Sequence, residues 1–270
     1  MKQFLVRTIA MLLVLLPAPR GWTAENEIVI EGTGDSQQLL RILASAFEKT
    51  HPGAQVKIPD AIGSSGGIKA VADGKCDLAR VAREIKEKEK IFNLKYLLFA
   101  WSPAVFVASP NVKNVASVTA RQVVGIFSGQ VTSWKDLDCA DQKIFVAQRE
   151  AGDSTRIMLE KNLPGWKEIR HFAGEEVYTT PELIDIIAQH DNTIGYAPLS
   201  MARPAGLSVL KYEGLDPSVE NVVNGSYPLK VPFALVWKGE LAGLARDFVD
   251  FTRSSEGQKI IAENGAVPIP

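Results

Sequence analysis

Short apolar runs of strand length alternate along this chain with stretches whose apolar residues recur at helical spacing. "EIVIEG" (27–32) reads as a strand, and "SQQLLRILASAFEKTH" (36–51) as a helix carrying Leu39, Leu40, Leu43, Ala46 and Phe47 on one face. The unit then repeats. "AQVKIPD" reads as a strand, "AIGSSGG" as a glycine-rich turn, "GIKAVADGK" as a short helix and "CDLARVA" as a strand. The apolar "YLLFAWSPAVFVASP" (96–110) reads as one or two buried strands.

After Asn111 the alternation resumes. "TARQVVGIFSG" predicts a helix, "KIFVAQRE" a strand, "STRIMLEKNL" and "TPELIDIIAQH" helices, and "TIGYAPLS" a strand. "YPLKVPFALVWKG" predicts one more strand, followed by helices between Leu241 and Asn264. Strand, turn and helix at this spacing predict an α/β fold with a largely parallel sheet, and the apolar helix positions are read as core. No internal repeat or low-complexity stretch interrupts the pattern.

The first two dozen residues break it. "MKQFLVRTIAMLLVLLPAPRGWTA" has a basic start at Lys2 and Arg7 and an apolar run from Ile9 to Leu16. That run falls short of the roughly 20 apolar residues a spanning helix needs. It reads as an export signal over 1–24, cleaved after Ala24, and hence as a periplasmic address. No cysteine lies near that cut, so a lipid-anchored form is not expected.

Without this segment, 27 basic residues face 31 acidic ones. A mildly acidic protein has no general attraction for nucleic acid or anionic lipid, so any anion must be held locally. About 245 mature residues suit one large domain or two small lobes. Cys76 and Cys139 would meet an oxidising compartment after export, where a disulfide is open to them, although both sit beside expected loops far apart in sequence.

Three segments share a design in which a strand ends, a turn of small residues follows and a helix begins. They are "GTGDSQ" (32–37), "IGSSGG" (62–67) and "REAGDSTR" (149–156). A helix start leaves backbone N–H groups unpaired and favours negative charge, so each turn is a natural anion seat. Ser, Thr and Asp are also the preferred capping residues, which is the plainer reading of each.

Sharper motifs fail. "IGSSGGIK" lacks the Gly-Lys-Ser/Thr of a nucleotide P-loop, because Ile68 separates Gly67 from Lys69. "TGDS" resembles the nucleophile segment of Gly-Asp-Ser-Leu esterases, with Ser36 as the nucleophile. None of His51, His171 and His190 follows an aspartate by three residues as that chemistry would ask. Two isolated cysteines and three scattered histidines give no metal-ligand spacing and imply no cofactor.

With these turns in place, the chain resembles the periplasmic phosphate-binding proteins of ABC importers over nearly its whole mature length. The resemblance is carried by "EGTGDSQQLLRILASAFEKTHPGAQV", "GSSGGIKAVADGKCDLARVARE", "VTARQVVGIFSGQVTSW" against the pattern LTxEQxxxIFSGxxxxW, "REAGDSTR" and "TIGYAPLS". It implies a two-lobed type II binding fold with two crossing strands and the anion in the cleft between lobes. The lobes would be residues 25–107 with 200–270, and 108–199.

The resemblance also implies a monomeric, non-enzymatic solute-binding protein for inorganic phosphate, serving a membrane permease. Its ligands would fall on Ser36, the amide of Gln37, Ser64, Arg149, Ser154 and Thr155. Ser154 stands where the family usually has glycine.

Two further departures bear on the ligand. Ala82 stands where the family's phosphate binders can present a carboxylate that accepts the ligand's proton, and Asp153 replaces the usual serine of the third turn. Asp153 would take over the acceptor role, which favours protonated phosphate over sulfate, or cap the helix that follows with its side chain turned away. Alternatively, the changes mark a site for another oxyanion, held by a sensor or binding protein without transport. In that case Arg80, Arg83 and Arg156 would matter, although arginines at strand edges are more often solvated. The reading from another class is an exported serine hydrolase using Ser36.

Overall fold

The computed structural model describes residues 26–269, so the expected export signal and its cleavage point lie outside the described residues. The chain opens with strand β1 (Glu27–Gly32), helix α1 (Gln37–Thr50), β2 (Gln55–Lys57), α2 (Gly63–Ala72) and β3 (Leu78–Val81). β1 pairs in parallel with β2 and with β3, as βαβ crossovers require. α2 begins at Gly63, inside the stretch expected to be a glycine-rich turn.

The apolar stretch forms one strand rather than two, β4 (Leu94–Ala108), which ends before Ser109. A two-residue strand, β5 (Ser117–Val118), and helix α3 (Ala120–Phe127) follow. Next come β6 (Phe145–Arg149), α4 (Ser154–Asn162), β7 (Glu175–Val177), α5 (Thr180–Gln189) and β8 (Thr193–Pro198). The return leg comprises α6 (Leu199–Ala202), β9 (Ser208–Tyr212), α7 (Val219–Val223), β10 (Lys230–Lys238), α8 (Gly243–Arg253), α9 (Ser255–Glu263) and β11 (Val267–Pro268). Side-chain caps fix several boundaries, among them Thr119 of α3, whose hydroxyl accepts from the Gln122 amide while the Gln122 side chain accepts in return.

The sheet runs β2-β1-β3-β10-β4-β8-β6-β7. Its pairing is mixed, which corrects the expectation of a largely parallel sheet. β10 is antiparallel to both β3 and β4, and β4 is antiparallel to β8, β9 and β11. The apolar runs of β4 and β10 look like those of any doubly buried strand, so periodicity carries no information on their direction. β4 is the hinge of the topology. Leu94–Pro103 pairs with β10, whereas Ala104–Ala108 pairs with β8 on the other side of the molecule.

Each half has its own aromatic anchor. Phe47 of α1 packs edge-on against Phe248 and Phe251 of α8. In the other half Phe127, Trp166 and Tyr196 form one cluster with ring centroids 4.8–5.6 Å apart, all fully or almost fully buried. Burial of this size is the principal stabilising term. Cys76 and Cys139 are both free thiols.

Candidate functional site

The first turn is shaped by a buried arginine. Gly32 ends β1 at φ +137°, where a Cβ would stand 2.0 Å from the Arg80 carbonyl oxygen, so only glycine fits. Arg80 is fully buried, and its guanidinium donates to the carbonyls of Thr33 (2.8 Å), Pro59 (2.8 Å) and Ile30. These bonds hold the loop that presents Asp35 and Ser36, both 0% exposed. Gly34 lies against α5, since a Cβ there would come within 2.6 Å of Pro181.

Residues far apart in the sequence then meet. The Ser64 hydroxyl, at the start of α2, accepts the Ala82 amide (3.2 Å) and lies 3.1 Å from the Ser154 hydroxyl at the start of α4. Asp35 accepts from the hydroxyls of Thr155 (3.1 Å) and Thr180 (2.6 Å). Thr179 supplies the cap of α5 by accepting the Glu182 amide, which leaves its neighbour Thr180 for Asp35. The first amides of α4, at Ser154 and Thr155, have by position no intrahelical carbonyl to bond.

Arg149 closes the arrangement from the end of β6. Its backbone amide donates to the Tyr196 hydroxyl (3.1 Å). Nε donates to Glu150 (3.1 Å) and the Val177 carbonyl (3.3 Å), and Nη2 donates to Glu150 (3.3 Å) and the Tyr178 carbonyl (2.9 Å). Nη1 donates to Thr180 Oγ1 (2.6 Å) and lies 3.1 Å from Asp153 Oδ2. With five N–H groups in all, this guanidinium has a protein partner on every nitrogen. It is therefore not a free fork held out to an anion.

Asp153 does two things at once. One oxygen accepts the Arg156 amide at 2.8 Å and caps α4, while the other faces Arg149. Capping therefore occurs without turning the carboxylate away. Burial pushes Asp153 up to about 7, helped by the nearby Asp35 and opposed by Arg149. Burial also raises Asp35, against the pull of Arg149 and of the two threonine hydroxyls. The carboxylates around Arg149 raise its own value despite its burial.

Of the residues singled out from sequence, Ser64, Arg149, Asp153, Ser154 and Thr155 come together in this one buried cluster. Ser36 and Gln37 sit at its edge on the first turn. The Ser36 hydroxyl and the Gln37 side-chain oxygen are buried without a partner, and the Gln37 amide donates to the Gly34 carbonyl at 3.2 Å. Asp35 and Thr180 are the residues that sequence reasoning missed. Asp35 was in view within "TGDS", but its partners lie 120 and 145 residues away.

The three neighbouring arginines are buried rather than solvated. Arg83 is clamped by Glu89 and Ser65 at 2.7–2.8 Å, and Arg156 bonds Gln148 (2.9 Å) and the Arg149 carbonyl (2.7 Å) while stacking on Phe172. Beside Ser154 and Ala82 a cavity of about 540 Å³ opens outward, lined by Trp101, Lys86, Lys161 and Lys230. Among the described residues no cluster of His, Cys, Asp and Glu is arranged to hold a metal ion, and no helix is long and apolar enough to cross a membrane.

Comparison with known proteins gives this geometry a lineage. Residues 18–256 match the family model described as a PBP superfamily domain. The phosphate-binding protein PstS of Bacillus subtilis is 28% identical over 250 residues, covering 91% of this chain and 82% of the relative. That of Borreliella burgdorferi is 25% identical, covering 91% of each. The crystal structure of a phosphate ABC transporter substrate-binding protein from Clostridium perfringens, with phosphate bound, aligns with a TM-score of 0.80 at 29% identity, over 91% of this chain and all of that one. With a family model spanning most of its length and the same two-lobed fold, this chain belongs to the PBP superfamily.

Proposed function

We propose that this protein is an exported solute-binding protein that captures inorganic phosphate between its two lobes and delivers it to the permease of an ABC importer. The observation that carries the reading is the meeting of Ser64 and Ser154, at the starts of two helices from opposite halves of the chain, 3.1 Å apart. Hydroxyls and helix-start amides are the groups that suit an oxyanion. A phosphate-bound relative of the same fold and 29% identity supports the choice of anion. Ser36, Gln37, Ser64, Arg149, Asp153, Ser154 and Thr155 are the ligand groups of this proposal.

Lobe closure supplies the mechanism. An anion that touches both lobes favours the closed form by its differential contacts. We take the lobes as residues 25–107 with 200–270, and 108–199, except that β9 (Ser208–Tyr212) is moved from the first to the second because it pairs with the same end of β4 as β8 does. The lysine-lined cavity beside Ser154 is the route of entry. Binding without turnover is favoured over hydrolysis, since the Ser36 hydroxyl is bonded to no base.

The test is calorimetric titration of the mature protein, stripped of carried-over anion by unfolding and refolding, with phosphate and with sulfate at neutral pH. Phosphate binding that exceeds sulfate binding supports the proposal. No heat with phosphate overturns it, and heat with sulfate alone reassigns the ligand.

A further inference from the structure

Asp35 is a carboxylate in a place built of anion donors. It comes from the first turn of the chain and is fully buried, yet both its hydrogen-bonded side-chain partners belong to the other half: Thr155 on α4 and Thr180 on α5. Thr180 in turn accepts from Arg149 Nη1, so a continuous path of hydrogen bonds runs from the guanidinium through Thr180 to Asp35. One of the hydroxyls assigned above to the anion, that of Thr155, is thus held by a side chain of the protein itself.

The charges around this point are unbalanced for an anion site. Arg149 is the cation that faces Asp35 from β6. Asp153, the cap of α4, faces the same guanidinium, and Glu150 takes two of its nitrogens from the following residue. α5 contributes only the neutral Thr180, and on its own turn Asp35 has Thr33 and Ser36. Ionised together, three carboxylates oppose one guanidinium, and an added oxyanion meets net repulsion in a buried, poorly screened site.

We propose that Asp35 is a tethered carboxylate that competes with the oxyanion for the hydroxyls of Thr155 and Thr180, so that capture at this seat takes up a proton from solvent. The proposal rests on the reading of the seat given above. The proton ends on the carboxyl pair Asp35 and Asp153, and the anion gains the released hydroxyl of Thr155. With no anion bound, the same carboxylate latches the two halves together through its two hydroxyl partners. Burial raises both carboxyls, Asp153 to about 7, so a proton on this pair lies within reach of neutral pH.

The experiment compares wild type with Asp35→Asn and Asp35→Ala, all stripped by refolding. Phosphate is titrated at pH 5.5 and pH 8, each in two buffers of different ionisation enthalpy, so that protons taken up are counted. Phosphate's own titration is common to all three proteins and cancels. Between pH 5.5 and pH 8, wild type is expected to lose at least about tenfold more affinity than Asp35→Asn, which takes up fewer protons. Equal pH slopes and equal proton counts overturn the proposal.

The second arm needs no anion. X-ray scattering of the stripped proteins is expected to give a larger radius of gyration for Asp35→Ala than for wild type, with Asp35→Asn, whose oxygen still accepts from one threonine hydroxyl while its NH2 can donate to the other, closer to wild type than Asp35→Ala is. An unchanged radius in Asp35→Ala overturns the latch. If none of the proteins binds phosphate, the functional reading falls while this arm still decides the role of Asp35.

Discussion

The hydroxyls of Ser64 and Ser154 lie 3.1 Å apart although 90 residues separate them, and Ser64 also holds the amide of Ala82. Replacing Ser64 with Ala removes one of the proposed oxyanion donors and leaves the buried Ala82 amide unpaired. Phosphate affinity should fall about tenfold or more, with a stability loss of about 1–2 kcal/mol. Ser154→Gly keeps the backbone amide and should cost less in affinity. Titration calorimetry and denaturant midpoints separate the two effects.

Arg149 has a protein partner on every nitrogen, and two buried carboxyls depend on it. A lysine in its place keeps the charge but cannot fork. Arg149→Lys should therefore weaken phosphate binding by about a hundredfold and destabilise the fold by about 2–4 kcal/mol, because Asp153 is left short of its ion pair. A variant that binds as wild type does would show that the guanidinium serves the fold alone.

Asp153 stands at about 7 when folded, against roughly 3.9 in an unfolded chain. A carboxyl whose folded value is raised stabilises the fold fully below the unfolded value, and that contribution is lost as pH rises through about 7. The stripped protein should melt at progressively lower temperature from pH 5 to pH 8. Asp153→Asn, which can still cap α4, should flatten that dependence. Glu89, held below the usual carboxylate range by Arg83 despite its burial, acts in the opposite sense and at more acid pH.

Two ion pairs on neighbouring residues should behave differently. Arg83 and Glu89 are buried and bonded through two oxygens, whereas Lys90 and Glu87 are largely exposed. Glu89→Ala strands a buried guanidinium and should cost about 3–5 kcal/mol. Glu87→Ala should leave the urea midpoint unchanged within error.

Arg80 is buried against carbonyl oxygens and shapes the turn that carries Asp35. Arg80→Met should destabilise the protein by more than about 2 kcal/mol and weaken anion binding as well, since the turn loses its support. Urea unfolding together with calorimetry would reveal whether the two losses travel together.

Most elements and the three turns follow from local patterns along the chain. Apolar runs and helical spacing locate β1, α1, β3, β6, α4, α5 and β8, because each buries one face whatever its neighbours are. Small residues and, at α4, the capping Asp153 mark where strand gives way to helix, so the three turns were legible. The direction of β4 and β10 was not legible, since a doubly buried strand has the same composition in either orientation. Nor were the partners of Asp35: a carboxylate beside a serine reads as a local cap until the fold brings Thr155 and Thr180 to it. Local chemistry follows from short-range sterics and hydrogen bonding along the chain. Which charges face one another, and so whether Asp153 lies at 4 or at 7, follows only from burial and from contacts between segments more than a hundred residues apart.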